Sequence, residues 1–520
     1  MSKLLQVQYV FKRWLCSIID FISKNKLLIF LSSLVAIVCY GYEIVNFTLS
    51  IDEEVASVYN ISLSAWISQG RFGITLIKLI FGTNKIFPFW DTLISVILLI
   101  IAAILWCTVF SFAGGKNNTR KVSLNKIGLI LFTVVFISFP VHAEYISFCT
   151  YNIEVSLGFI IAALSLQLIT QWILYSKSKV YLISGIFALT LSISIYQSFL
   201  FLFFSGFCTY CVYFFSTSYD SAQYFSKREI MTIFLKFLLA IIAALVIYEC
   251  ISSFLKIFYP STGYIEGFFQ WGKGNYKIIL NQLYKDIQSI VYGNRIFGGK
   301  FVMPTIGVGI IIAGFYFFRN KRQRFIIPLS IIGLLVSPFI LSIVLGSPTP
   351  LRAQQTLPFM MGSVWCLFYY SIDKKFIRYI TILIVAFAVV YQSQSIAKLF
   401  YGDHCRYQQD IALGNQIAYR IESLGVGEIP IQPVVYVGKH SQRLTKNIIS
   451  SEVLGHSFFE WDNGNVYRII AFMNTLGYNY NFPTKEQVDN AKEISKPMPS
   501  WPDINSVTCK NGVVIVKLSD

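Results

Sequence analysis

The chain has 520 residues and a mass of 59.3 kDa, with 55 % apolar and 13 % charged residues and a mean hydropathy of +0.60. Soluble proteins carry ~25 % charged residues, and a single soluble core stops growing at ~250–300 residues, so a string of ordinary soluble domains is excluded. The composition is that of a polytopic α-helical membrane protein. Its net charge of +17 has to be interpreted by location before it says anything about partners.

Taken from the N-terminus, residues 1–26 form a separate unit. The stretch 3–22 is amphipathic, with Trp14 among basic residues, the pattern of a helix lying in the membrane interface. The apolar run after Lys26 has no small-x-small exit, which predicts a retained span and no cleaved signal. A hydrocarbon core of ~30 Å needs ~20 mostly apolar residues per helix. Windows of that size predict about 11 spans within 27–397, at 27–49, 86–113, 127–140, 155–175, 181–196, 198–215, 233–259, 301–318, 325–345, 357–372 and 379–396. The run 181–215 is too long for one helix and divides at Tyr196-Gln197-Ser198.

With the N-terminus inside, the segments alternating to that side hold 20 Lys and Arg against four acids, while the outer loops hold nine against seven. The excess therefore follows the positive-inside rule and is a topology signal; nucleic acid is not an expected partner. Two outer loops are long, 50–85 and 260–300, and the chain ends in an outward domain, 398–520, with 12 bases and 12 acids. A helix over Arg406–Leu424, a strand in Pro433–Gly438, a helix near Val466–Leu476, a capping box at Thr484 and Gln487, and a closing strand at Val513–Leu518 make this a small α/β domain. Eight of the ten cysteines lie in or beside apolar spans, where thiols act as small hydrophobes, and Cys208-x-x-Cys211 is read as packing. Cys405 and Cys509 lie outside, where a disulfide is permitted but not specified.

No Walker loop, dinucleotide-binding turn or His-rich metal spacing is present, there are four His in all, and no inner loop is long enough to bind a nucleotide sugar. Any reaction must use a substrate at the outer face or in the bilayer. The first outer loop carries Asp52-Glu53-Glu54, then Trp66-Ile-Ser-Gln-Gly70-Arg71-Phe72-Gly73, and an apolar piece, 72–81, too short to span. Three carboxylates beside a shielded pocket can supply a general base; a solvated acidic cluster is the alternative. Glu43, Asp91 and Glu249 lie in or at the rims of spans, and Glu144 and Glu154 flank the second outer loop, together suggesting an outward polar cavity. Arg352, on the Pro-stiffened loop Ser347–Gln355, can clamp a phosphate or anchor a lipid headgroup. Arg71, between two glycines, is a second candidate, and Lys78 lies one face further along.

The acidic triplet after the first span, the Trp…Gln-Gly-Arg-Phe-Gly element, the Tyr196-Gln197 turn and the outer C-terminal domain resemble the bacterial glucosyltransferases that decorate O-antigen, of the phage-encoded, serotype-converting type. These belong to the GT-C class of polytopic glycosyltransferases. Phe72 stands where the resemblance leads one to expect Trp. The resemblance implies a GT-C-like fold in the bacterial inner membrane, a polyprenyl-phosphate glucose donor (usually undecaprenyl) and an O-antigen acceptor at the periplasmic face. It also implies a flippase and a donor-making glycosyltransferase as upstream partners.

A polyprenyl monophosphate is a good leaving group, so the reaction needs a carboxylate base and cations to hold the phosphate. The expected base is Asp52, with Glu53 in reserve. Arg71, Arg352 and Lys78 are expected on the donor phosphate. Glu54, Glu144, Tyr196, Gln197 and Gln354 are expected as polar cavity groups. Trp461, Asp462 and Arg468 of the C-terminal domain suit an oligosaccharide acceptor or, alternatively, the packing of a small domain. No cofactor or metal is required, although the acidic motif is compatible with a divalent cation. The rival functions are an O-antigen polymerase and a polyprenyl-linked sugar flippase; a flippase would be expected to show paired half-repeats, and none is evident.

Overall fold

The structure is a computed structural model describing residues 16, 18–59, 61–114, 126–175, 178–220, 225–319, 325–426, 432–441 and 449–520. Most of the expected amphipathic stretch 3–22, and the expected inner-side bases at 116, 120, 121, 177, 321, 322 and 324, lie outside these residues. Residues 18–24 are helical.

Eight helices among the described residues are long and apolar enough to cross a membrane. They are Lys26–Val45, Pro88–Ser111, Asn152–Tyr175, Phe199–Asp220, Lys227–Phe258, Val302–Arg319, Ile326–Leu345 and Lys375–Ile421. The other three expected spans form shorter helices: Lys126–Ser138, Lys179–Ile195 and Thr356–Ser371, of 13, 17 and 16 residues. At ~1.5 Å per residue each falls short of a ~30 Å hydrocarbon core. Two of them, Lys126–Ser138 and Thr356–Ser371, pack on each other inside the bundle and are buried along nearly their whole length. Phe359 meets Phe132 across their seam at 5.5 Å between ring centroids, and Trp106 of Pro88–Ser111 edge-on at 4.6 Å. Lys227–Phe258, in contrast, exposes Leu238, Leu239, Ile242 and Val246 along its outer face, as lipid contact requires.

The first outer loop is almost wholly folded. A turn at Ser50–Asp52 leads into Glu53–Tyr59, then Leu63–Ser68, then Phe72–Phe81, a ten-residue helix ended by Gly82 in the left-handed conformation.

The helix Lys375–Ile421 runs unbroken for 47 residues, or ~70 Å. The expected last span and the expected helix Arg406–Leu424 are therefore one element, and the position 397/398 falls inside it. Beyond it lies a three-stranded sheet in the order β1-β3-β2, with β1 Val434–Val437 parallel to β3 Val513–Lys517 and β2 Val507–Lys510 antiparallel to it. Strand β2 was not expected. It pairs through a hairpin whose Asn511 and Gly512 both take positive φ, as a two-residue turn of primed type demands. Helices Val466–Thr475 and Lys485–Ser495 cover the sheet, the second opened by the capping box of Thr484 and Gln487. Val466–Thr475 also packs against Glu53–Tyr59, which brings this domain onto the first outer loop. Cys405 and Cys509 are both free thiols.

Candidate active site

The three consecutive acids are sorted by backbone geometry. Asp52 has φ +71°, a region L-residues seldom occupy, and the turn leaves its side chain 60 % exposed. Glu53 is fully buried; it accepts the N–H of Ser50 at 2.9 Å and the N–H of Cys149. Burial pushes its carboxyl up to about 8, against the pull of those two bonds. Glu53 thus staples the acidic turn to the second outer loop. Glu54 is also buried and is pushed up to about 7 by burial, opposed by the positive charge of Arg468.

Arg468 reaches this turn from the C-terminal domain. Its Nη2 lies 2.9 Å from Asp52, its Nη1 2.7 Å from Glu54 and its Nε 2.5 Å from Asp462. Asp462 and Arg468, expected as acceptor groups, therefore come together with the acidic motif. Trp461 sits with its ring against His456 at 5.3 Å and is not part of the cavity wall.

Beside Asp52 opens a cavity of about 630 Å³. One wall carries Tyr59, Trp66, Gln69 and Tyr151, and the facing wall carries Asn465, Tyr467, Arg468 and Phe482. Phe482 bridges the walls, 5.9 Å from the Tyr59 ring and 6.3 Å from Tyr467. Of the residues lining the cavity, Trp66, Gln69 and Tyr151 have Nε1, Oε1 and Oη buried without hydrogen-bond partners. Such orphans are costly unless something fills the site. The aromatic lining with a few unsatisfied polar atoms is the make-up of a small-molecule site. Tyr59 and Tyr467 lie next to motifs the sequence does mark, but Phe482 has no local signal, because its contact to Tyr59 joins distant segments.

The Gly70-Arg71-Phe72-Gly73 element docks on the Tyr196-Gln197 turn. Gly70 has φ +71°, and a Cβ there would stand 2.6 Å from Tyr248 Oη; at Gly73 one would meet the Ser194 backbone at 2.9 Å. Phe72 stacks on Tyr248, and Gln197 Nε2 donates to Gln69 O at 3.0 Å and to Tyr248 Oη at 3.1 Å. This close docking carries Arg71 over the Tyr196 ring at 4.2 Å, 8 % exposed, with Nε buried and without a partner. Arg352 donates to Tyr264 Oη at 3.1 Å, lies over Phe148 at 5.4 Å and has Glu452 at 3.8 Å. The charges of Arg352, Arg71 and Asp52 all reach the Tyr151 phenol through space.

The remaining expected residues fall elsewhere. Lys78 is sealed in an ion pair with Glu154 at 3.0 Å and donates to Thr83 O at 2.9 Å, so its charge is already satisfied away from the cavity. Gln354 donates to Thr349 at 2.7 Å within its own loop, while neighbouring Gln355 accepts from Ser198 at 2.8 Å and ties that loop to the Tyr196-Gln197 turn. Glu144 is buried, pushed up to about 7 by burial despite hydrogen bonding to Ser451 and the positive charge of Arg352, and its Oε2 has no partner. Asp91 accepts the Phe87 N–H at 2.7 Å at the start of its own helix. Among the described residues no group of three or more His, Cys, Asp or Glu is arranged to hold a metal ion.

An apolar helical bundle with a folded loop bearing an acidic turn, an aromatic cavity beside Asp52 and a buried Arg71 with an unpaired N–H defines a membrane-embedded protein with a polar site. The family model of the glucosyl transferase GtrII matches residues 41–369, more than half of the chain, and the chain belongs to that glucosyltransferase family. The match includes the acidic turn, the Gly70–Gly73 element, the Tyr196-Gln197 turn and Arg352, and ends before the long last helix and the C-terminal domain. No curated protein and no solved structure matches the chain.

Proposed function

We propose that this glucosyltransferase moves glucose from a polyprenyl-phosphate donor, of the undecaprenyl kind, to a hydroxyl of an O-antigen repeat. The reaction takes place at the periplasmic face of the bacterial inner membrane and inverts the anomeric centre. In this reading the chain crosses the membrane about 11 times, N-terminus inside and C-terminus outside. Asp52 accepts the proton of the acceptor hydroxyl, the oxygen attacks the anomeric carbon, and the bond to the phosphate oxygen breaks. Arg71 and Arg352 take up the negative charge that grows on the leaving phosphate. The aromatic cavity holds the acceptor sugar, with Trp66 Nε1, Gln69 Oε1 and Tyr151 Oη as its hydrogen-bonding floor. A monophosphate leaving group held by two guanidiniums has no need of a metal. Lys78 stays in its ion pair, and Glu53 shapes the turn without touching substrate. A flippase and an enzyme that loads glucose onto the lipid supply the donor.

The observation carrying this reading is Arg71: a nine-tenths buried cation with an orphaned N–H, held over the Tyr196 ring in the loop that also carries Asp52. A cation held out of water in this way is poised for an anion. The test is a reconstitution with radiolabelled polyprenyl-phosphate glucose and lipopolysaccharide. Wild type transfers label, and Asp52→Asn binds donor but transfers it ~10²–10⁴-fold more slowly, the usual worth of a general base. Undiminished transfer by Asp52→Asn removes the base assignment. Transfer from a lipid-linked oligosaccharide, with none from the monosaccharide donor, makes the protein a polymerase.

A further inference from the structure

The family match ends well before the C-terminal domain, yet a side chain of that domain makes the strongest contacts to the acidic turn. We infer that Arg468 is a positioning residue of the transfer reaction: its guanidinium, presented by the C-terminal domain, orients the Asp52 carboxylate toward the cavity and completes a composite active site. This rests on the reading above in which Asp52 is the base.

The geometry is that of a fork with every tine engaged. Nη2, Nη1 and Nε each face a different carboxylate, those of Asp52, Glu54 and Asp462, at 2.9, 2.7 and 2.5 Å. A guanidinium holds such a planar arrangement, which an ammonium does not. Asp52 needs the contact, because it stands on a left-handed turn with a largely exposed side chain that nothing else among its described hydrogen bonds restrains. Glu54 needs it too, being a buried carboxylate whose charge has Arg468 as its ion-pair partner. Arg468 is in turn fixed: it lies in the first turn of Val466–Thr475, capped by Asn465, whose Oδ1 accepts the Tyr467 N–H at 3.0 Å. That helix packs on Glu53–Tyr59, and its Tyr467 and Arg468 line the same cavity as Asp52. The charged groups facing Glu54 are thus Asp52 and Glu53 on its own turn and the Arg468–Asp462 pair across the interface. Glu53 is closed off by two backbone N–H groups.

The experiment uses the full-length protein in detergent, as wild type, Arg468→Met and Arg468→Lys. Infrared titration of the carboxyl band, with Glu54→Gln as the reference that identifies Glu54, reads its ionisation without any transfer. The pH profile of glucosyl transfer is measured in parallel. Burial raises Glu54 and the arginine opposes it, so Arg468→Met moves its ionisation to higher pH. Transfer depends on the orientation of Asp52, so kcat drops about tenfold across the pH profile while the donor KM is unchanged. Arg468→Lys restores a positive charge and recovers part of the Glu54 shift, but little of kcat, because an ammonium does not reproduce the fork. A merely structural arginine would shift the Glu54 titration and lower the yield of folded protein, but the protein that folds would keep the wild-type kcat, and that result overturns the inference. If Arg468→Met does not fold, Glu54→Gln with Arg468→Met removes the naked buried carboxylate; a kcat there equal to that of Glu54→Gln alone also overturns it. A shifted Glu54 titration, with no transfer by any form including wild type, leaves the Arg468 contact standing and rejects the donor assignment.

Discussion

Asp52 and Glu53 are chain neighbours of the same chemistry whose environments differ because one turn residue takes a positive φ. The buried one has a measurable signature. An unfolded glutamate titrates at ~4.3, while burial holds Glu53 up at about 8. Between those values the folded protein keeps a proton that the unfolded chain releases, so the folded state is progressively disfavoured as pH rises through the window. Glu53→Gln has no proton to exchange, and its single amide oxygen still accepts one of the Ser50 and Cys149 N–H groups. Its melting temperature in detergent is therefore expected to fall less between pH 5 and pH 8 than that of wild type, by roughly the share of one buried carboxyl. An equally steep fall would mean that Glu53 is already ionised in the folded protein. The sequence marks this triplet as chemistry but cannot rank its members, because the partner that buries Glu53 is 96 residues away and the one that clasps Asp52 is 416 away. Lys78 is the converse case. Its helical spacing from Arg71 suggests a shared task, and only the fold reveals that Glu154 neutralises it.

Among elements, the long last helix does the most to hold the site together. It buries Arg406 between Asp403 at 2.8 Å and Asp410 at 3.6 Å on its own faces, and Arg406 Nη2 donates to Leu49 O at 2.9 Å, one residue before the acidic turn begins at Ser50. The two aspartates extend the hub into the C-terminal domain: Asp403 accepts the Gly455 N–H at 2.7 Å, and Asp410 accepts from Ser457 Oγ at 2.6 Å and the Phe458 N–H at 3.0 Å. Arg406→Leu leaves two buried carboxylates unpaired and should destabilise the protein by about 3–5 kcal/mol, read as a loss of thermal stability with early proteolysis after residue 421. Asp410→Asn should cost less, because the amide oxygen still accepts one of those two donors. Equal and small losses for both would make the hub incidental. The helix itself was legible as two pieces, an apolar span and a soluble helix, since hydropathy changes near residue 397 while backbone hydrogen bonding does not. The spans were legible because lipid demands long apolar runs. Strand β2 was missed because its four residues, Val507–Lys510, bury one end only, and the Asn511-Gly512 turn was the cue left unused.

At the scale of the whole molecule, the C-terminal domain and the acidic turn are joined by Arg468, and the Arg352 loop is joined to the same domain by Glu452, which accepts the Leu351 N–H at 2.9 Å. Whichever side of the membrane holds the domain therefore holds the site, and the side of the domain can be read from a single thiol. Cys509 is exposed on strand β2, and Cys16 is exposed near the other end of the chain, before the first long apolar helix. In the proposed topology the inner-side segments carry 20 bases against four acids, an asymmetry that predicts Cys16 inside and Cys509 outside. In intact spheroplasts a membrane-impermeant maleimide should label wild type, lose most of that signal in Cys509→Ala, and keep it in Cys16→Ala. After permeabilisation, Cys16→Ala should show less label than wild type. The opposite pattern would turn Asp52, Arg71 and Arg352 toward the cytosol. A lipid-linked donor presented at the outer leaflet and an acceptor assembled there would then have no access to them, and the carboxylate-and-arginine site would have to serve a cytosolic substrate instead.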